Sequence, residues 1–150
     1  MMRNRWGQRL ENSGFRITKA REVILGILES TPEHLSAEDI FMLIRREYPG
    51  IGLTTVYRTL DILENAGIVD KFDFSLDRAK YELSEEYSGK KHHHHLICKR
   101  CGKIIDYTEF LDSEMDYIRK TESELSRKYG FSIEKHMIHF YGICPECKAG

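Results

Sequence analysis

Six potential metal donors lie within ten residues of this chain: His92, His93, His94, His95, Cys98 and Cys101, in the run HHHHLICKRC. A second Cys-x-x-Cys pair, Cys144 and Cys147 in CPEC, lies near the C-terminus. Gly102 follows the first pair and Pro145 sits inside the second, the turn chemistry that lets two thiolates face one tetrahedral ion. Two such pairs predict a four-cysteine zinc site. Because four thiolates leave no open coordination position, that site is expected to hold the fold together and not to catalyse. The alternatives are a thioredoxin-like dithiol, which needs only one pair in a βαβ setting, and unliganded structural cysteines.

The histidine run is internal and passes directly into apolar Leu96 and Ile97, so it reads as part of a folded strand and not as a purification tag. Strand alternation sends His92 and His94 to one face and His93 and His95 to the other, giving each face half of a metal site. Further candidate donors are His34, Glu82, Asp106, Glu114, His136 and His139. His139 lies three residues beyond His136, which in a regular strand turns it to the opposite side; it is read as structural.

The elements that must carry these donors follow from apolar spacing. Residues 3 to 13 suit a short basic helix broken by Gly14, and Thr18 is a candidate N-cap for a helix burying Val23, Ile24, Ile27 and Leu28. Ser36 with Asp39 resembles a capping box ahead of Ala37, Ile40, Phe41 and Ile44. A third helix over residues 54 to 66, ending at Gly67, buries Val56, Leu60 and Leu63 and turns Thr54, Arg58 and Asp61 outward, with Tyr57 on its flank. An exposed Tyr-Arg pair on such a helix suits DNA, the guanidinium for phosphate or guanine and the ring for a thymine methyl; a solvated helix face is the plainer alternative.

Two short β-like runs, 68 to 74 and 80 to 83, flank SLDRA, so three helices are followed by a hairpin. That order predicts a winged helix over residues 1 to 84. SEEYSGKK then reads as a hinge (85 to 91), and residues 92 to 150 as an α/β unit of strand (95 to 107), helix (109 to 129) and strand (131 to 144). The fold class is α+β.

At 150 residues and 41% hydrophobic the chain has enough apolar content for two small cores. Its net charge of -1 carries no global nucleic-acid signature. Yet as far as Arg21 six basic residues (Arg3, Arg5, Arg9, Arg16, Lys19, Arg21) face one acid, Glu11, so an electrostatic footprint is expected there. The first ten residues lack the apolar core of a signal peptide and no run is long enough to span a bilayer. A cytoplasmic protein is expected, and cysteines in a reducing compartment favour metal over disulfides.

An enzyme is not expected. A zinc hydrolase calls for His-Glu-x-x-His, and a deaminase for His-x-Glu with Pro-Cys-x-x-Cys; neither is present. A zinc-storage protein would leave the winged helix without purpose.

RITKAR (16 to 21), HLSAEDI (34 to 40), TTVYRTL (54 to 60), YEL (81 to 83), HHHHLICKRCGKIID (92 to 106) and HMIHFYGICPEC (136 to 147) together resemble the ferric uptake regulator (Fur) family of metal-dependent repressors. The likeness runs from about Gly14 to Cys147. It implies a homodimer with an N-terminal winged-helix DNA-binding domain and a C-terminal α/β dimerisation domain, reading double-stranded DNA at an inverted-repeat operator. A regulatory metal site at the hinge is implied at His34, Glu82, His93 and His95, with Asp106. A third site is implied at His92, His94, His136 and an acid of the long helix, Glu114, with Asp112, Asp116 and Glu122 as alternatives. DNA contacts are implied at Tyr57, Arg58 and, in the minor groove, Arg16.

The third histidine of the run stands where the family often carries aspartate, and the interval from Asp106 to His136 is several residues longer than the family's pattern. Imidazole with carboxylate suits Fe(II) or Mn(II), whereas thiolate selects Zn(II). Glu82 stands where zinc-sensing relatives often carry cysteine. The resemblance therefore implies a metal-responsive repressor with structural Zn(II) and with Fe(II) favoured as the regulatory ion, ahead of Zn(II) or Mn(II); zinc-responsive and peroxide-sensing members are the alternatives.

Overall fold

The computed structural model describes residues 2–73 and 78–150, and side chains from Arg5 onward. Phe74, expected to end a strand, residues 75–77 of SLDRA and the Arg3 side chain lie outside these. The chain divides into two compact units, Met1–Lys90 and Lys91–Gly150.

In the first unit, helix α1 (Met2–Asn12) places Trp6 and Leu10 in the core and is followed by Gly14 at φ 87°. Helix α2 (Lys19–Ser30) starts where the Thr18 side chain accepts from the Arg21 backbone N–H. A two-residue strand β1 (Leu35–Ser36), too short to show in the apolar pattern, leads into α3 (Ala37–Ile44). There the capping box is complete: Ser36 Oγ accepts from Asp39 N at 3.0 Å and Asp39 Oδ2 accepts from Ser36 N at 2.9 Å. Helix α4 (Leu53–Asn65) buries Val56, Thr59, Leu60 and Leu63. Gly67 ends it in the left-handed region (φ 76°), which lets Ile68 N–H reach back to the Leu63 carbonyl.

Strands β2 (Val69–Phe72) and β3 (Lys80–Leu83) follow, in an antiparallel sheet of order β1-β3-β2. Three helices against a small sheet give the winged helix, with a core that includes Ile24, Leu25, Ile40, Leu60 and Tyr81. The stretch expected as a hinge differs. Residues 85 to 88 form a one-turn helix, α5 (Glu85–Ser88), whose Tyr87 is buried in the first unit's core, because an aromatic side chain next to an apolar surface is worth more packed than solvated.

Arg9, one of the basic residues read as an electrostatic footprint, is used otherwise: its Nε donates to the Ala66 carbonyl at 2.7 Å.

The second unit begins with β4 (His94–Cys98), then β5 (Ile104–Tyr107), helix α6 (Leu111–Tyr129), strand β6 (His139–Gly142) and a short α7 (Pro145–Ala149). The single strand expected over 95 to 107 is two antiparallel strands. The Cys98 to Lys103 segment reverses the chain, with Gly102 at φ 77° and its N–H donating to Cys98 O. The last strand is also shorter than 131 to 144. The sheet order is β5-β4-β6, with β6 parallel to β4, so α6 is the crossover that parallel neighbours require.

Ahead of α6, Phe110 is the one non-glycine with positive φ among the described residues (68°), a conformation that costs an L-residue roughly 1 kcal/mol. No helix among the described residues is long and apolar enough to cross a membrane.

Candidate metal centres and nucleic-acid interface

The two cysteine pairs sit on turns that the second unit's sheet brings side by side. Cys98 ends β4 and Cys144 follows β6, the parallel neighbour of β4. The four Sγ atoms lie within 4.8 Å of one another, with Cys101 and Cys144 at 3.8 Å. Arg100 Nη1 donates to Cys147 O at 2.8 Å, tying one knuckle to the other. Backbone N–H groups of Cys101 and Cys144 directed at Cys98 bring its thiol down to about 6, whereas the Cys144 thiol beside Cys147 pushes that one up to about 12. One thiolate is thus ready at neutral pH, and the Cys147 thiol would shed its proton to an arriving cation.

The tetra-histidine run divides between two groupings. Around His92 and His94, the Nε2 atoms converge with that of His136: 3.2 Å from His92 to His94, 2.9 Å from His92 to His136, and 3.4 Å from His94 to His136. His94 is fully buried, and burial holds its imidazole below the usual pKa against the opposing pull of Glu114. A neutral ring is the form that binds metal. Glu114 is near but not among the converging atoms, since its Oε2 lies 2.6 Å from His94 Nδ1, the other edge of the ring. Asp112 and Asp116 are exposed, while Glu122 Oε1 lies 2.8 Å from His136 Nδ1.

On His93 and His95 the partner is Asp106. β4 and β5 pair His95 directly opposite Asp106, which places the carboxylate 3.5 Å from His95 Nε2 and 3.7 Å from His93 Nε2. His139, opposite His95 on the other flank, stacks edge-on against that ring at 5.1 Å and sits 3.3 Å from the Tyr141 hydroxyl. In the first unit, β1 and β3 bring His34, just before β1, to Glu82 on β3: Nε2 to Oε2 is 2.8 Å, with side chains 6% and 9% exposed. Phe72 packs edge-on against His34 at 5.0 Å and fixes the ring.

The outward face of α4 presents Thr54, Arg58 and Asp61, and Tyr57 is 39% exposed. The Tyr57 hydroxyl donates to Glu38 on α3, a bond that lowers the Glu38 pKa and raises that of the phenol. Arg16 is exposed in the turn ahead of α2.

Known proteins share this fold. The model of the ferric uptake regulator family matches residues 12–141. The chain belongs to that family. The Bacillus subtilis ferric uptake regulation protein is 37% identical over 142 residues, spanning 93% of this chain and 90% of that one. Among solved structures, the Helicobacter pylori ferric uptake regulator, described as having three functional metal-binding sites, superposes with a TM-score of 0.71 at 28% identity over 98% of this chain and 91% of that chain. The Pseudomonas aeruginosa regulator, solved with manganese, gives 0.69 at 29% identity over 92% and 96%. The protein is a Fur family metal-responsive transcriptional regulator with a winged-helix N-terminal unit and an α/β C-terminal unit.

Two participants around these candidate sites, Tyr107 and Glu38, are not singled out by the sequence, whereas Glu122 is among the alternatives for the acid of the long helix. Tyr107 donates to Glu114 at 3.1 Å. Glu122 backs His136, and Glu38 holds Tyr57. Residues 114, 118 and 122 lie on the less exposed stripe of α6, which puts the acids Glu114 and Glu122 on the side turned to the histidines.

Proposed function

We propose that this Fur family regulator is a homodimeric repressor that binds an inverted-repeat operator when a divalent ion, Fe(II) in preference to Mn(II) or Zn(II), is held by His34, Glu82, His93, His95 and Asp106. The observation that carries the reading is the donor chemistry. Each unit holds its own compact half-set, His34 with Glu82 in the first and His93 and His95 with Asp106 in the second. Both consist of nitrogen and oxygen without sulfur, the set that suits Fe(II) and Mn(II). An ion that takes ligands from both half-sets stabilises one arrangement of the DNA-reading units over others, which is what couples metal to DNA. In this reading Tyr57 and Arg58 enter the major groove, Arg16 reaches the minor groove, and Cys98, Cys101, Cys144 and Cys147 hold structural Zn(II).

The homodimer is supported by what the second unit lacks. Among its described residues only Ile97 and Cys98 are buried hydrophobics, and α6 buries nothing. Ile105, Leu96 and Phe140, aligned across the three strands, are 42%, 46% and 51% exposed. Sixty residues with so little core need a metal, a partner surface or both. A two-fold dimer then reads two half-sites related by the same axis.

The test is a gel shift of a palindromic duplex with Fe(II), Mn(II) or Zn(II) under anaerobic conditions, with and without chelator. Retardation that requires metal and is strongest with Fe(II) is expected. A complex indifferent to chelator would refute the coupling, and one strongest with Zn(II) would replace the choice of ion.

A further inference from the structure

A carboxylate on a surface that meets a polyanion weakens binding to every sequence alike. Yet Glu38, the second residue of α3, turns its side chain to the helix that carries Tyr57 and Arg58. Its Oε1 accepts from the Tyr57 hydroxyl, and its Oε2 is closed off from solvent. The bond from Tyr57 is the main reason that this carboxyl titrates below its ordinary value, and the Arg78 guanidinium, two residues ahead of β3, adds to the effect. The start of α3, the first half of α4 and the base of the wing therefore meet at one point.

An acid in the first turn of a helix also suits the helix dipole. Asp39, next in the chain, already serves that end by closing the capping box on Ser36. Glu38 takes no part in the box. Tyr57 is 39% exposed, so part of its ring stays open to a partner while its hydroxyl is held from behind. A ring tethered at its far end has lost most of its freedom before DNA arrives, and less ordering remains to be done on binding.

We propose that Glu38 is the positioning residue that makes Tyr57 sequence-selective: its carboxylate holds the phenol so that one ring edge meets a thymine methyl in the major groove. This rests on the reading of α4 as the DNA-reading helix. The methyl group is what distinguishes thymine from the other bases for an apolar contact, and the contact discriminates only if the ring cannot swing aside. The charge of Glu38 acts on all DNA equally, whereas the tether acts on the thymine alone.

The test uses full-length protein with the divalent ion that gives the strongest gel shift. Wild type first selects a duplex from a randomised pool, and anisotropy then compares that duplex, a shuffled one of equal composition, and copies in which single thymines are replaced by uracil. At one thymine or more per half-site, uracil is expected to weaken wild type about 3- to 5-fold, the worth of one buried methyl. Glu38→Ala should bind that uracil duplex and its thymine parent alike and should lose part of the selected-to-shuffled ratio, with its melting curve unchanged. Glu38→Gln keeps an acceptor for the hydroxyl, so it should retain the ratio and the uracil penalty while binding both duplexes more tightly. If Glu38→Ala keeps the full uracil penalty, or if Glu38→Gln loses it as Glu38→Ala does, the tether is not what selects and the proposal fails. Wild type indifferent to uracil throughout would also overturn it, leaving α4 as the DNA-reading helix through Arg58. A pool from which no sequence is enriched would instead remove the DNA-reading assignment, and this proposal with it.

Discussion

Arg9 donates from Nε to the carbonyl of Ala66 at 2.7 Å, so the first helix of the chain closes the last turn of the helix that carries Tyr57 and Arg58. A cation at that end also complements the helix dipole. Trp6, from the same helix α1, is 3% exposed and donates to Glu29 on α2 at 3.3 Å. Arg9→Ala should therefore destabilise the first unit by about 1–2 kcal/mol. Trp6 is the chain's single tryptophan, so urea unfolding followed by its fluorescence measures this directly; a midpoint equal to that of wild type would show the contact to be dispensable.

Cys98 and His93 should fail in different ways. Cys98→Ser removes one of four converging thiols and is expected to lose zinc, with the second unit unfolding and the dimer dissociating. His93→Ala should remain a folded dimer whose operator binding no longer responds to metal. Circular dichroism with sedimentation checks both, and an unfolded His93→Ala beside an intact Cys98→Ser would reverse the roles.

Acid should weaken the second unit through His94. Burial depresses its pKa below 6.5 in the folded chain. Above that value both states hold the ring neutral; below it the unfolded chain takes the proton first, so stability falls as pH falls. For protein with zinc only on the cysteines, the melting temperature should drop between about pH 7.5 and about pH 5.5, and less so in His94→Gln. Equal drops in the two proteins would assign the acid sensitivity elsewhere.

At the DNA-reading face, Arg58→Ala should cost about 1–3 kcal/mol in operator affinity with metal affinity unchanged. Tyr57→Phe keeps the ring but loses the bond to Glu38, and should weaken binding less than Tyr57→Ala does. Fluorescence anisotropy with a labelled duplex resolves all three. A large loss of metal affinity in Arg58→Ala would contradict its placement at the DNA.

The parts of the fold written in local chemistry were legible in the sequence. Thr18, Ser36 with Asp39, and Gly67 mark helix ends through bonds that span five residues at most, and the structure has them where the pattern put them. The winged helix followed from helix periodicity and the order of elements. What failed to show were features decided by distant residues. β1 is two residues long and exists because β3 pairs with it. The strand expected over 95 to 107 folds back because Cys98 and Cys101 need a turn between them. α5 is held by the burial of Tyr87, which no feature of SEEYSGKK announces. The donor types were readable, but which edge of each ring meets a carboxylate depends on the rotation of α6, set across some twenty residues of chain.

Adjacent residues of β4, His94 and His95, have relative exposures of 0% and 4% and belong to different donor groupings. Membership is fixed by odd or even position along one extended segment. Replacing a single histidine therefore injures one grouping and spares its neighbour. Removing or inserting a single residue ahead of His94 hands the upstream donors to the wrong side of the sheet, emptying part of both groupings in one event. Across this run the chain should tolerate exchange of letters far better than a change in their number.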